Sequence, residues 1–135
     1  MRRILPIALL AAACSQEPAT PTLGTGTFAG EARDRLCIAG AAGAYRAGLI
    51  AYGESDTNCS ASGRLEPAGS AWQLVPTGEG DCKIPLDIQG NSVRIGKVPS
   101  ACAYYCGAGA SMADRTYNRA DMEAKVTDLA GDPLC

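Results

Sequence analysis

Between Arg33 and Val98 the chain alternates short apolar segments with clusters of Gly, Pro, Asn and Asp. In Lys83–Ile88 the apolar residues Ile84, Leu86 and Ile88 lie two apart, with Pro85 and Asp87 between them. In Ser92–Gly96, Val93 and Ile95 alternate with Ser92, Arg94 and Gly96. A period of two sends successive side chains to opposite faces, so each segment reads as a strand with one buried and one wetted face. Looser versions of the pattern predict strands over Arg35–Ala39, Gly48–Tyr52, Ser60–Glu66 and Ala71–Val75. Turn residues separate them, including Pro67-Ala68-Gly69-Ser70 and Gln89-Gly90-Asn91; Gly and Asn tolerate the positive φ that tight hairpins require. Pro85 lacks a ladder donor, which predicts an edge strand or an outward-directed missing donor. Six short strands at fairly regular spacing predict a mainly β fold, an antiparallel meander curled into a small flattened barrel or a sandwich.

The period changes in the last third. Met122, Val126 and Leu129 stand at i, i+4 and i+7, one face of a helix. Asn118 can cap that helix near Arg119, Gly131 can stop it, and Pro133 follows. An earlier helical turn is expected over Ser111–Thr116. The C-terminal helix is expected to pack across an open side of the sheet, with Cys135 pinning its end.

The N-terminus follows a third pattern. Arg2 and Arg3 lead into an apolar run, Ile4 to Leu10, then Ala11 to Ala13 and Cys14. A charged start, a short apolar centre and small residues before a cut site mark a secretory signal. The run falls well short of the roughly 20 residues that span a bilayer. Cysteine directly after small residues makes the stretch resemble a bacterial lipoprotein signal, although Ala11 stands where Leu is usual and Leu10 lies one place back. The resemblance implies a signal peptide over residues 1–13 and acylation (palmitate among the chains) at Cys14. Ser15 is not the Asp that usually retains lipoproteins in the inner membrane, which implies the outer membrane, facing the periplasm. A plain signal cut near Ala13 is the alternative. Residues 14–27, rich in Pro, Thr and Gly, lack the apolar side chains to offset their ordering entropy and read as a flexible tether. Residues 28–135 remain as a single β-rich domain.

The chain carries 12 basic and 14 acidic residues; without Arg2 and Arg3 the net charge is −4. With no basic run and few aromatics, nucleic acid is not an expected partner. A mildly acidic surface keeps a protein soluble and suits cationic partners. Setting Cys14 aside leaves six of the seven cysteines: Cys37, Cys59, Cys82, Cys102, Cys106 and Cys135. An even number in a small exported domain implies a disulfide framework, and the connectivity of the six stays open. A metal site is not expected, because there is no histidine and no pair of Cys-x-x-Cys knuckles.

The missing histidine also excludes Ser-His-Asp and Cys-His nucleophile systems. There is no G-x-S-x-G elbow and no Ser-x-x-Lys. Gly24-Thr25-Gly26 is not followed by the Gly-Lys of a phosphate loop. Glu54, Asp56 and Asn58 alternate like calcium ligands, but Cys59 and Leu65 stand where that loop needs Gly and the closing Glu. The acids, among them Glu79 and Asp81, read as solvated turn residues rather than a glycosidase pair. No cofactor and no enzymatic activity are expected.

Two local features remain. In Cys102-Ala103-Tyr104-Tyr105-Cys106-Gly107, an extended backbone would put one tyrosine ring on each side. One ring would then fill the core and the other cover a disulfide; the functional alternative is a rigid aromatic contact patch built on Tyr104 and Tyr105. The second feature is Ser60-Ala61-Ser62-Gly63-Arg64-Leu65, followed by Gly69 and Trp72. These residues resemble part of the membrane-bound inhibitors of chicken-type lysozyme, small envelope lipoproteins with a flattened β-barrel. In that family a serine and a lysine enter the lysozyme cleft. The chain keeps Ser60, Ser62, Gly63, Arg64 and Trp72. It departs at Leu65, where the family has tyrosine, and at Gln73-Leu74, where the lysine region should be. The resemblance covers about twenty residues, and implies a partner surface that includes Ser60, Ser62 and Arg64.

The expectation is therefore a lipid-anchored, disulfide-stapled envelope protein. It would act as a binding module, in its sharpest version an inhibitor of a cationic lysozyme-like hydrolase of envelope or host origin. The alternatives are an accessory or structural envelope lipoprotein without catalytic activity, and a carboxylate-based hydrolase.

Overall fold

The computed structural model describes residues 21–122 and 125–135. Eight strands follow chain order round a closed antiparallel barrel. They are β1 (Gly26–Ala29), β2 (Arg35–Ala39), β3 (Arg46–Tyr52), β4 (Asn58–Ala68), β5 (Ala71–Pro76), β6 (Ile84–Gln89), β7 (Ser92–Ile95) and β8 (Thr116–Arg119). The six predicted strands are present as β2 to β7. The two further strands close the sheet: β8 pairs with β7 and returns to β1 through Phe28–Arg119 and Ala29–Asn118. Closure settles barrel against sandwich. It also means that β6 is not an edge, since β5 and β7 flank it and Pro85 sits in register with Gln73.

An eight-stranded barrel is just wide enough inside for side chains to fill. Phe28, Leu36, Leu49, Leu74, Ile84, Leu86, Val93, Ile95 and Tyr117 fill it, and each is 0% exposed. Burying such side chains stabilises the fold by roughly 1.5–3 kcal/mol each. Small residues set the curvature where β4 meets β5. Ala61 and Gly63 point inward, and a Cβ on Gly63 would collide with the Val75 carbonyl oxygen.

The meander divides its connections between two ends. The chain enters β1 at one end, where the β2–β3, β4–β5 and β6–β7 turns also lie. Tyr45 and Trp72 cover that entry end, packed edge to face at 6.0 Å. The other end receives the β1–β2, β3–β4, β5–β6 and β7–β8 connections. The last of these folds inward as a plug: it carries a 3-10 helix, Ser100–Tyr105, and buries Cys102 and Met112 in the barrel core.

A second, smaller cluster lies on the outer face of β2 and β3, where Cys37 and Ile50 pack against Val126 and Leu134. This corrects the expected C-terminal helix. Asn118 and Arg119 belong to β8, and no helix follows among the described residues. Thr127 pairs with Pro133, the Leu134 N–H donates to the Val126 carbonyl at 2.9 Å, and the chain turns back through Gly131 at φ +90°. A hairpin brings Val126 and Leu134 side by side onto the barrel, and the Cys37–Cys135 bond holds it there. Leu129 is 55% exposed, so the helical spacing of Met122, Val126 and Leu129 marks no common buried face. Ser111–Thr116 is likewise not helical; it leads through a turn into β8. At the other terminus β1 takes in Gly26 and Thr27, and the Leu23 N–H donates to the Tyr45 hydroxyl at 2.8 Å.

Candidate functional site

Strand β4 places Ser60, Ser62 and Arg64 on one outward row, because Cys59, Ala61, Gly63 and Leu65 take the inward positions between them. Ser60 and Ser62 are half-buried. Their register partners on β3 are Ile50 and Gly48, which the C-terminal hairpin covers. Arg64 is exposed and its Nε donates to Glu66 at 2.6 Å. Gln73 also donates to Glu66, at 3.3 Å. The Arg64 hydrogen bond, then the one from Gln73, hold the Glu66 carboxyl below its ordinary range. Arg46 faces Arg64 directly across the β3–β4 ladder on the same surface. Leu65 and Leu74 both fill the barrel.

The tyrosine pair lies at the plug end. The segment is a 3-10 helix rather than an extended strand, so the two rings do not flank a flat backbone. They meet edge to face, with centroids 5.3 Å apart. Tyr105 packs half-buried against the core, whereas Tyr104 is 89% exposed. All six cysteines predicted to pair do so. Cys37 bonds Cys135, Cys59 bonds Cys106, and Cys82 bonds Cys102. The last two bonds bracket the tyrosines: Cys102 ties the helix to the β5–β6 connection, and Cys106 ties its far end to β4. Cys106 pairs through its backbone with Cys59, so Tyr105 is one residue from a contact beside Ser60. Cys14 lies outside the described residues.

One cluster had no sequence signal. Asp34, 2% exposed, accepts from the Tyr52 N–H at 2.8 Å and from Arg115 at 2.9 Å. The other arm of the Arg115 guanidinium donates to the Tyr52 carbonyl at 3.0 Å. Arg33 lies over the Tyr52 ring at 4.0 Å and pairs with Asp56. The buried polar side-chain atoms here are all matched within the fold, so the cluster ties the β1–β2, β3–β4 and β7–β8 connections together. Tyr117 reaches from β8 to donate to the Ile50 carbonyl at 3.2 Å, and burial pushes its phenol well above the ordinary tyrosine range. Among the described residues, no group of three or more Cys, Asp or Glu side chains is placed to hold a metal ion.

Compared with protein-family models, curated proteins and solved structures, the chain matches none.

Proposed function

We propose that this protein is a binding module of the bacterial envelope, lipid-anchored at Cys14, and in its sharpest form an inhibitor of a cationic lysozyme-like hydrolase. The observation that carries this reading is the division of β4. Its inward residues belong to a barrel filled by side chains, and its outward row aligns Ser60, Ser62 and Arg64. With the interior committed to packing, recognition falls to the outer surface and the ends. The closed barrel and the Ser-Ala-Ser-Gly-Arg strand also agree with the architecture that the lysozyme-inhibitor resemblance implies. The net charge of −4 after signal removal suits a cationic partner.

The test uses the mature chain, exported with its disulfides formed and carrying Cys14→Ser to keep it off the membrane. Mixed with chicken-type lysozyme, it should slow the clearing of a cell-wall suspension in proportion to its molar ratio. Ser62→Ala and Arg64→Ala should weaken that effect. Undiminished lysis at a large molar excess would remove the inhibitor reading and leave an accessory envelope role. Palmitate labelling of the natural chain, lost in Cys14→Ser, tests the anchor separately.

A further inference from the structure

Charge is divided unequally between the two ends of the barrel. The entry-end connections, residues 40–45, 69–70 and 90–91, hold no charged residue. The plug-end connections hold Glu31, Glu54, Glu79, Asp81 and Asp114 beyond the internal pairs Asp34–Arg115 and Arg33–Asp56; Lys83, Lys97 and Arg35, whose guanidinium folds onto the Ala32 and Asp34 carbonyls, oppose them. At this acidic end stands Tyr104, the most exposed large apolar side chain of the described residues at 89%. Its backbone is fixed on both sides by bonds to different elements, Cys82–Cys102 and Cys59–Cys106. Two of the acids lie on the connection tied to the same helix: Asp81 precedes Cys82, the partner of Cys102, and a Cβ added at Gly78, next to Glu79, would come within 3.9 Å of the Tyr105 hydroxyl. The same connection also borders an open cleft of about 380 Å³, lined by Val98, Pro99, Ala103, Ala110 and Met112 among others, on a face that does not include the Tyr104 side chain.

We propose that the plug end is a docking surface for a basic protein segment, with a Lys or Arg side chain of the partner laid on the Tyr104 ring and its charge answered by Glu79 and Asp81. An aromatic face attracts a cation, and more strongly as water is excluded. Tyrosine supplies a large contact at low entropy cost, and the two disulfides remove most of what ordering the loop would otherwise cost. The surface faces away from the end at which the chain enters β1, so a tethered barrel presents it outward. This inference rests on the binding-module reading and names the surface and partner chemistry of that module; it is separate from the Ser60–Arg64 row.

The experiment is a titration of the isotope-labelled mature chain, disulfides intact, with a short oligolysine peptide and with its acetylated form. Oligolysine should shift amide signals over residues 77–83 and 100–107 in a saturable, salt-screened manner, and the acetylated peptide should not. Tyr104→Ala and the Glu79→Gln/Asp81→Asn pair should each weaken binding about tenfold, while Tyr104→Phe retains it. Equal binding by these variants, shifts spread over the whole barrel, or no shifts up to the solubility of the peptide would overturn the proposal. The same variants separate it from the function above. Oligolysine binding that survives Tyr104→Ala and the double variant rejects this surface, while lysozyme inhibition lost in Ser62→Ala and Arg64→Ala leaves the inhibitor reading standing. Oligolysine bound at Tyr104 by a protein that leaves lysozyme active supports this surface and rejects the inhibitor reading.

Discussion

Arg115 donates to the buried Asp34 carboxylate at 2.9 Å across 81 positions of sequence. The contact joins the β1–β2 connection to the end of the plug, and Arg115 carries it on to the Tyr52 carbonyl. Asp34 therefore satisfies an N–H of β3 and a guanidinium of the β7–β8 connection at once.

Asp34→Ala should destabilise the fold by about 3 kcal/mol, the low end of the range for breaking a buried pair, because the Arg115 side chain is 26% exposed and partly solvated. Arg115→Met on that background should recover part of the loss, since no charge is then left stranded. Urea unfolding of the wild type, both single variants and the double variant gives the coupling directly. Additive losses would mean that the two side chains act independently.

The six strands read from alternation are those with at least two apolar residues at inward spacing. Ile84, Leu86 and Ile88 in β6 and Val93 and Ile95 in β7 are examples. β1 and β8 escaped because each contributes one large inward residue, Phe28 or Tyr117, and one residue has no period. They become strands only because the rest of the sheet curls round to meet them. The C-terminal hairpin was misread for the opposite reason. Three apolar residues fell at helical spacing, while the feature that decides the local structure is a long-range bond from Cys135 to Cys37. Of the candidate surface, Ser60, Ser62 and Arg64 were singled out by the family resemblance, and the strand expected over Ser60–Glu66 then puts them on one face. The exposure of Tyr104 and the charge on the plug end were not legible, since both depend on which connections share an end of the barrel.

Gly48 has no room for a side chain. A Cβ there would collide with the carbonyl oxygen and Cβ of Leu134. Gly48→Ala should lift the C-terminal hairpin from β3 and expose Ile50 and Val126, at a cost of about 1–3 kcal/mol. Hydrogen exchange should show protection lost first at the Leu134 amide, which donates to Val126. Unchanged protection there would mean that the hairpin holds its place without this close approach.

The disulfides should differ in value according to the chain they enclose. Cys37–Cys135 spans 98 positions and Cys82–Cys102 spans 20. In the chain-entropy account, replacing the first pair by alanines should cost about 1.4 kcal/mol more than replacing the second. Guanidinium unfolding of the two paired variants compares them. The reverse order would show that local packing of the plug outweighs loop closure.

Tyr117 should set the alkaline limit of the fold. Burial, with the Asp34 charge adding to it, holds the phenol protonated in the barrel well above its ordinary range. In the unfolded chain the same group ionises near about pH 10. Above that pH the unfolded state binds fewer protons than the folded one, so stability falls as pH rises; below it the contribution is fully present. Tyr117→Phe should flatten this alkaline decline, while losing the hydrogen bond to the Ile50 carbonyl costs about 1 kcal/mol at neutral pH. Denaturation midpoints measured from neutral to strongly alkaline pH test both effects. If wild type and Tyr117→Phe lose stability in parallel as the pH rises, the limit lies with another group.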